Sequence, residues 1–460
     1  MAAVAAASAV EADPTDAERW PGLDAAGADI LRQMRDHPQA PLWRKASGHR
    51  LLPEEWPALR AFEAAVARAS IAQAAPGQRP PAWLDGFLRH ALARVPAYRA
   101  WGFAEMLPRH FTDLPTTARA DLSADIAAFV PEDLPLDRMI NFSTSGTTGH
   151  PLLIASHPMV AARYRAFHER ALARRGIQLK AGAGQVGVVL IGWQQTCFTY
   201  VSVTPTRGQS GLAKINLHPD DWRNPADRVS WLDAMQAEVY SGDPLSFAEL
   251  LALPTRHRPR ALLSTSMHLA DGLRTALETR FGAPVIDLYS MNEAGPIAAF
   301  EPELGAHVLL QPQLLVEILD EQQQPVPLGQ RGEITLTGGF NFCLPLLRYR
   351  TGDHAALERH GADWLLRGLS GRPPVWFQRA DGSRFNNVEL THALKGLSLP
   401  RWQVWQGADG EVELRLPAAL TPDLSAAALA AVGACFGSAV PVTVAPLALQ
   451  AGKVAQYLRD

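Results

Sequence analysis

Apolar residues recur three and four apart through "DAAGADILRQMRDH" and "PEEWPALRAFEAAVARASIAQA", both within residues 17–75, and again through "AWLDGFLRHALARVPAYRAWG". That spacing gathers them on one face of a helix. "APGQRPP" (75–81) interrupts the pattern and predicts a break. From Ile140 the texture changes to buried-strand runs: "GQVGVVLIGW" (184–193), "RALLST" (260–265), "APVIDLYS" (283–290) and "GEITLTG" (332–338). Helical patterns lie between several of them, as in "HLADGLRTALETRFG" (268–282). Strand alternating with helix predicts a mostly parallel sheet covered by helices. Ligands then belong in loops at the carboxyl ends of the strands. After "LSGRPP" (369–374) come short runs such as "RWQVWQG", "EVELRLP" and "PVTVAP" with one helix, which predict a separate unit. The expected fold class is α/β: a large multi-layer α/β N-terminal domain followed by a small α+β C-terminal domain. The expected boundaries are 1–80 for a tail and helical extension, 81–371 for the large domain and 372–460 for a small mobile domain.

The 460 residues exceed one compact domain. Hydrophobic content of 47% against 19% charged argues for a sizeable core and against disorder. A net charge of −3 leaves no basic field to recruit nucleic acid or anionic lipid. Cys197, Cys343 and Cys435 lie far apart, which fits neither a disulfide framework nor a paired zinc motif and favours a reducing, cytoplasmic compartment. "MAAVAAASAVEADPTDAERW" lacks a basic segment before its weak apolar run, so a disordered tail is expected rather than a signal peptide. No run of eighteen apolar residues predicts a membrane span. Lysine is confined to Lys45, Lys180, Lys214, Lys395 and Lys453.

Chemistry concentrates in four places. "NFSTSGTTGHPLL" (141–153) sets Thr144, Ser145, Gly146, Thr147, Thr148 and Gly149 after the strand-like "RMINF". It can be a surface turn, or a cradle in which glycines admit an anion to backbone N–H groups and hydroxyls. It does not follow the Walker pattern. "IDLYSMNEAGPIA" (286–298) ends a strand with Tyr289, Asn292 and Glu293. Asn292 and Glu293 can open a helix as cap and first-turn acid. Alternatively, Tyr289 faces a flat base and Glu293 a hard divalent cation. "LPLLRYRTGDHAAL" (344–357) carries Asp353, either in a hairpin turn or as a carboxylate for vicinal hydroxyls. Arg348 and Arg350, two apart, are expected on one side of a strand, with salt bridges as their ordinary role. "AGKVAQYLRD" places Lys453 near the C-terminus.

In order and spacing these stretches resemble the adenylate-forming superfamily of acyl-CoA synthetases and adenylation enzymes, and within it phenylacetate–CoA ligases. The likeness covers roughly residues 83–460. "FTDLPTTARADL" is similar to the family's "LP-x-T-x-x-DL", the hydroxyl-rich loop to "SSGTTG-x-P" and "DLYSMNE" to "D-x-YG-x-[ST]-E". "LPLLRYRTGD" is similar to "P-x-IRYRT-x-D", "LSGRPP" to "GR-x-DD" and "GKVAQYL" to "GK-x-x-R". The resemblance implies ATP-dependent activation of a carboxylic acid to an acyl-adenylate, followed by transfer to CoA. The alternatives are transfer to an amine or a carrier-protein thiol, or a degenerate nucleotide-binding protein. ATP, Mg²⁺ and CoA are the implied cofactors. The partners expected are a small carboxylic acid and, in the alternative, an amine or carrier protein, with a homodimer left open. By the same resemblance Thr144 to Gly149 would hold the β- and γ-phosphates, Tyr289 would stack on adenine and Asn292 would lie near the α-phosphate. Glu293 would bind Mg²⁺, Asp353 the ribose with Arg372 nearby, and Lys453 would reach the substrate carboxylate. Trp193, Phe198, Tyr200 and Met267 fall in segments that line the family's acyl pocket and hint at an aromatic acid.

The chain departs from that pattern in places. His150 and Leu152 replace basic residues of the loop, and Ser290, Met291 and Asn292 replace Gly-Leu-Ser/Thr. Pro374 stands at the hinge acid, where fixed φ is expected to restrict rotation of the small domain and to slow the thiol step more than adenylation. His307 and Glu317 recur at family positions without its neighbouring acids, so a structural histidine is expected.

Overall fold

The computed structural model describes residues 14–143, 152–193, 197–267, 269–371, 375–387, 390, 393, 394, 397, 399, 402–416, 420–447 and 457–460. Strand β1 (Thr117–Ala118) comes first, then β2 (Ile140–Ser143) and β3 (Leu153–Ser156), which pair only with each other. β2, which ends at Ser143, and β3 thus form a separate two-stranded ribbon outside the main sheet, and the hydroxyl-rich residues between them lie outside the described residues. Then come β4 (Val186–Gly192), β5 (Tyr200–Thr204), β6 (Ser210–Asn216), β7 (Val239–Gly242), β8 (Ala261–Ser264) and β9 (Val285–Met291). Five of these lie parallel in the order β6-β4-β7-β8-β9, with β5 antiparallel at the edge. Intervening helices such as Pro244–Ala252 and Asp271–Phe281 supply the crossovers that parallel pairing requires.

Past β9 the chain is different. β10 (Gly295–Glu301), β11 (Ala306–Leu309), β12 (Leu314–Leu319), β13 (Arg331–Gly338), β14 (Leu346–His360) and β15 (Asp363–Ser370) extend the same sheet antiparallel, in the order β10-β11-β15-β14-β13-β12. The expected mostly parallel sheet is thus only half so, because no helix separates these strands: from β10 to β14 each pairs antiparallel with its successor except β11, which pairs with β15 instead. Tyr349 and Arg350 of β14 also pair in parallel with β1, above the stretch that pairs β15.

Residues 14–68 clothe this sheet. Helix Ala25–Arg35 buries Ile30 and Met34 against β5 and β6, where Gly211 leaves no room for a Cβ. Trp20 donates to Ser202 at 3.0 Å and Trp231 to the Met34 carbonyl at 3.2 Å. Helix Trp56–Arg68 lies on helix Pro158–Arg174 through Phe62 and Phe167, 5.9 Å apart, with Arg165 bonded to Glu63. The predicted helix after the break stops at Arg94, since Pro96 lacks the N–H that would continue it, and a short helix restarts at Pro96–Arg99.

The C-terminal body has its own core. β16 (Trp376–Gln378) pairs with β17 (Arg384–Asn386), and β18 (Gln403–Gln406), β19 (Val412–Leu416), β20 (Val442–Pro446) and β21 (Tyr457–Arg459) form a sheet ordered β20-β19-β18-β21. Helix Pro422–Phe436 closes it, burying Val432 and Phe436 against Phe377 and Phe385. The class is the expected one: a large α/β body followed by a small α+β body. Among the described residues no helix is long and apolar enough to cross a membrane.

Candidate active site

The turn after β9 is a hairpin into β10, not a helix start. Asn292, Glu293 and Ala294 form it, and Gly295 follows at φ 68°, where an added Cβ would meet the Phe340 ring at 2.5 Å. The hairpin is clamped from below. The Gln311 side-chain amide donates to the carbonyls of Ala294 at 2.6 Å and Pro296 at 2.8 Å. Tyr164, on helix Pro158–Arg174, donates to the Asn292 carbonyl at 3.3 Å. Burial pushes the Tyr164 phenol up to about 12, so it serves as a donor.

Glu293 is 5% exposed. Its Oε1 accepts from Tyr349 Oη at 3.1 Å and from Arg119 Nη1 at 3.3 Å. Among the described residues its Oε2 takes no hydrogen bond. Mg²⁺ commonly takes one or two carboxylates and completes its shell with water and substrate phosphates. A single buried carboxylate with one oxygen to spare fits that habit. Among the described residues no cluster of three or more His, Cys, Asp or Glu could hold a metal by itself.

Asp353 is not in a hairpin turn. It lies inside β14, where the ladder slips: Glu333 pairs with His354 but Thr335 with Arg350, so β14 carries two residues more than β13 across that interval. The bulge holds Thr351, Gly352 at φ 81° and Asp353. Thr351 Oγ1 donates to the Ile334 carbonyl at 2.9 Å and accepts from the Asp353 N–H at 3.0 Å. Glu333 receives the Gly352 N–H at 3.0 Å and Arg350 Nε at 2.8 Å. The Asp353 carboxylate accepts from Tyr289 Oη at 2.8 Å. Burial first, then the Asp353 charge, hold the Tyr289 phenol well above its ordinary value.

The structure thus unites Tyr289, Asn292, Glu293 and Asp353 at the meeting of β9, its hairpin and β14. Thr144, Ser145, Gly146, Thr147, Thr148, Gly149, Arg372 and Lys453 lie outside the described residues, as do Pro373 and Pro374. Trp193 follows the carboxyl end of β4, Met267 that of β8, and Tyr289 lies near that of β9, so these residues share the end of the parallel run that holds the hairpin. Trp193 packs on His218 at 5.3 Å, while Phe198 is 61% exposed beneath Lys45 at 4.7 Å.

Arg348 and Arg350 serve separate carboxylates, Glu317 at 3.2 Å and Glu333 at 2.6 Å. A second slip, between Gly338–Leu346 and Leu336–Tyr349, breaks the alternation expected to align them. His307 lies 3.7 Å from the Asp287 carboxylate and stacks edge-on to Phe300. Arg119, Tyr164 and Tyr349 were missed by sequence reasoning. Arg119 and Tyr349 stand within "TARADL" and "RYRTGD", but nothing in a linear pattern shows which carboxylate they reach.

No protein-family model matches the chain, and no curated protein matches it in sequence. Solved structures do match. 2-Hydroxyisobutyryl-CoA ligase in a postadenylation state with 2-HIB-AMP is 20% identical, with a TM-score of 0.50 over 82% of this chain and 88% of that one. The same ligase with 2-HIB-AMP and CoA in a thioesterification state gives 20% identity and a TM-score of 0.50 over 83% and 90%. The chain shares the fold of that ligase. At this identity the likeness concerns the fold, and the chemistry has to come from the residues.

Proposed function

We propose that the protein activates a carboxylic acid with ATP to an acyl-adenylate and passes the acyl group to CoA. The observation that carries this reading is the Tyr289–Asp353 pair set beside a buried Glu293, on a fold shared with an acyl-CoA ligase. Asp353 offers a carboxylate to the ribose hydroxyls, and the ring of Tyr289 offers a face to adenine. In the first half a substrate carboxylate oxygen attacks the α-phosphorus, and the bond to the pyrophosphate oxygen breaks. In the second a thiolate sulfur attacks the acyl carbon, the bond to AMP breaks, and the thiol proton passes to solvent. Glu293 would hold Mg²⁺, which when bound would supply positive charge against the phosphates. Thr144 to Gly149 as phosphate donors, Asn292 near the α-phosphate, Arg372 near the ribose and Lys453 at the substrate carboxylate complete the assignment, all on sequence resemblance. Catalysis of this kind is chiefly positioning and charge neutralisation.

The aromatic acid rests on Trp193, Phe198, Tyr200 and Met267, and the nearness to phenylacetate–CoA ligases on the order and spacing of the sequence motifs. A cytoplasmic setting rests on the separate cysteines. ATP–pyrophosphate exchange across a panel of aryl, arylacetyl and short hydroxy acids, followed by product mass with and without CoA, tests all of this. Exchange with no acid on the panel would leave only nucleotide binding. Pro374 favours a second reading, in which the acyl-adenylate goes to an amine or a carrier-protein thiol. Exchange with an acid that never yields a CoA thioester would select it.

A further inference from the structure

A cavity of about 520 Å³ opens on the far edge of the sheet, between edge strand β12, residues 74–80 and the loop at Phe111. Its frame is pinned. The Gln73 side-chain amide donates to the Leu314 carbonyl at 2.5 Å and accepts from the Val316 N–H at 2.8 Å, so residues 74–80 leave the strand from a fixed point. The volume lies in the range of sites that enclose small molecules. Phe111, Leu315, Val326 and Leu328 supply an apolar part of its wall, and Gln78 and Thr112 add polar surface. The charged lining consists of Arg79, Arg109 and Glu317, with His110 as a further titratable group.

Glu317 does not set the sign of that field. Arg348 meets it with two bonds of 3.2 Å and also donates to the carbonyls of Thr112 at 2.9 Å and Leu114 at 2.6 Å. Burial raises the Glu317 carboxyl, with Arg348 acting against it. Ionised and paired, or protonated, it leaves no net negative charge. Arg79 and Arg109 are exposed, and among the described residues neither has an ion-pair partner. A chamber with an apolar wall and two guanidinium groups unpaired among the described residues suits a molecule of opposite build, since arginine forks bind planar anions and the apolar wall binds the body.

We propose that this cavity is a second ligand site and takes a small amphipathic anion. The apolar body lies against Phe111, Leu315, Val326 and Leu328, and a carboxylate or sulfonate lies between Arg79 and Arg109. The test uses the full chain and 8-anilinonaphthalene-1-sulfonate as probe, read by fluorescence and calorimetry. The expected result is one probe per chain, with binding weakened at least tenfold in R79A/R109A and in L328W, which fills the chamber. Leu328 is 40% exposed, so the larger ring is tolerated in the fold, and both arginines are at the surface. Asp353→Ala, in the candidate active site, should leave probe affinity unchanged. The uncharged N-phenyl-1-naphthylamine should lose affinity in L328W but not in R79A/R109A. Absence of stoichiometric binding, or wild-type affinity in both cavity variants, overturns the proposal. Loss of binding in D353A alone would move the probe to the nucleotide site and overturn it equally.

Discussion

Glu293 pairs with the half-buried Arg119, and the proposed function gives its other oxygen to Mg²⁺. The two roles separate by substitution. Glu293→Gln keeps an acceptor for Tyr349 but removes the carboxylate charge that faces Arg119, which is only 15% exposed. Stability should fall by about 3 kcal/mol, the lower end for breaking a buried pair, and pyrophosphate exchange should vanish. The double variant E293Q/R119M removes both charges. It should recover most of the thermal midpoint while exchange stays lost. If exchange returns with stability, Glu293 is only structural. Asp353 and Tyr289 separate in the same way. Asp353→Ala should weaken ATP binding by about 1.5–3 kcal/mol, the range for a hydrogen bond to a charged group, and Tyr289→Phe by about 1 kcal/mol, since it keeps the ring and loses one neutral donor. Calorimetric titration of a non-hydrolysable ATP analogue gives both numbers, and equal losses would contradict the division of roles.

At the scale of elements, the site depends on where a strand is irregular. β14 holds Tyr349 and Asp353 because its ladder slips twice against β13. "RYRTGD" marked this stretch as chemical, and the strands β4, β8, β9 and β13 were readable from apolar runs. The bulges were not, because a slip is fixed by the partner strand and a single sequence shows no partner. The same lack of partners turned a β9–β10 hairpin into an expected helix start and hid the antiparallel half of the sheet. Asn292 followed by Glu293 is good cap chemistry, and only Gln311 and Tyr164, distant in sequence, make it a hairpin. The bulge can be tested through its glycine. Gly352 sits at φ 81° and Gly361, in the β14–β15 turn, at φ 59°. Alanine at either should cost about 1–2 kcal/mol of backbone strain. Gly352→Ala should also weaken ATP binding, because Asp353 is held by that turn of chain. Gly361→Ala should not. Equal ATP affinities in the two variants would detach the bulge from the site.

For the whole molecule, the large and small bodies have separate cores, and one stretch of chain joins them at 371–375. Pro373 and Pro374 lie in that junction, so Pro374→Asp should speed thioester formation from supplied acyl-adenylate and leave pyrophosphate exchange nearly unchanged. Rapid-quench measurement of both half-reactions decides it, and an unchanged thioester rate removes the proline as a brake. The large body's own stability has a different dependence. His49, in the N-terminal segment, and His168, on helix Pro158–Arg174, are each pushed down to about 4, chiefly by burial. His49 is kept neutral as an acceptor, its Nδ1 taking the Leu51 N–H at 2.9 Å. His49 lies in the segment that covers the sheet, and His168 on the helix against which helix Trp56–Arg68 of that segment packs. Between pH 6.5 and 4 the unfolded chain binds protons at these sites and the folded chain does not. Stability therefore rises with pH across that window and is lost as pH falls below about 6.5, by up to about 1.4 kcal/mol per pH unit for each histidine. Carboxylates with ordinary values titrate mostly below pH 5, so the interval from 6.5 to 5 reports chiefly on histidines. His157, also lowered by burial, is among them, and Glu317, raised by burial, is the carboxylate that can act there too. Urea midpoints at pH 7.5, 6.0 and 5.0 should fall steadily for the wild type. In H49N/H168Q, where nothing at these positions takes a proton, the fall should flatten. Parallel curves for the two proteins would place the acid sensitivity elsewhere and deny these two histidines their part in it.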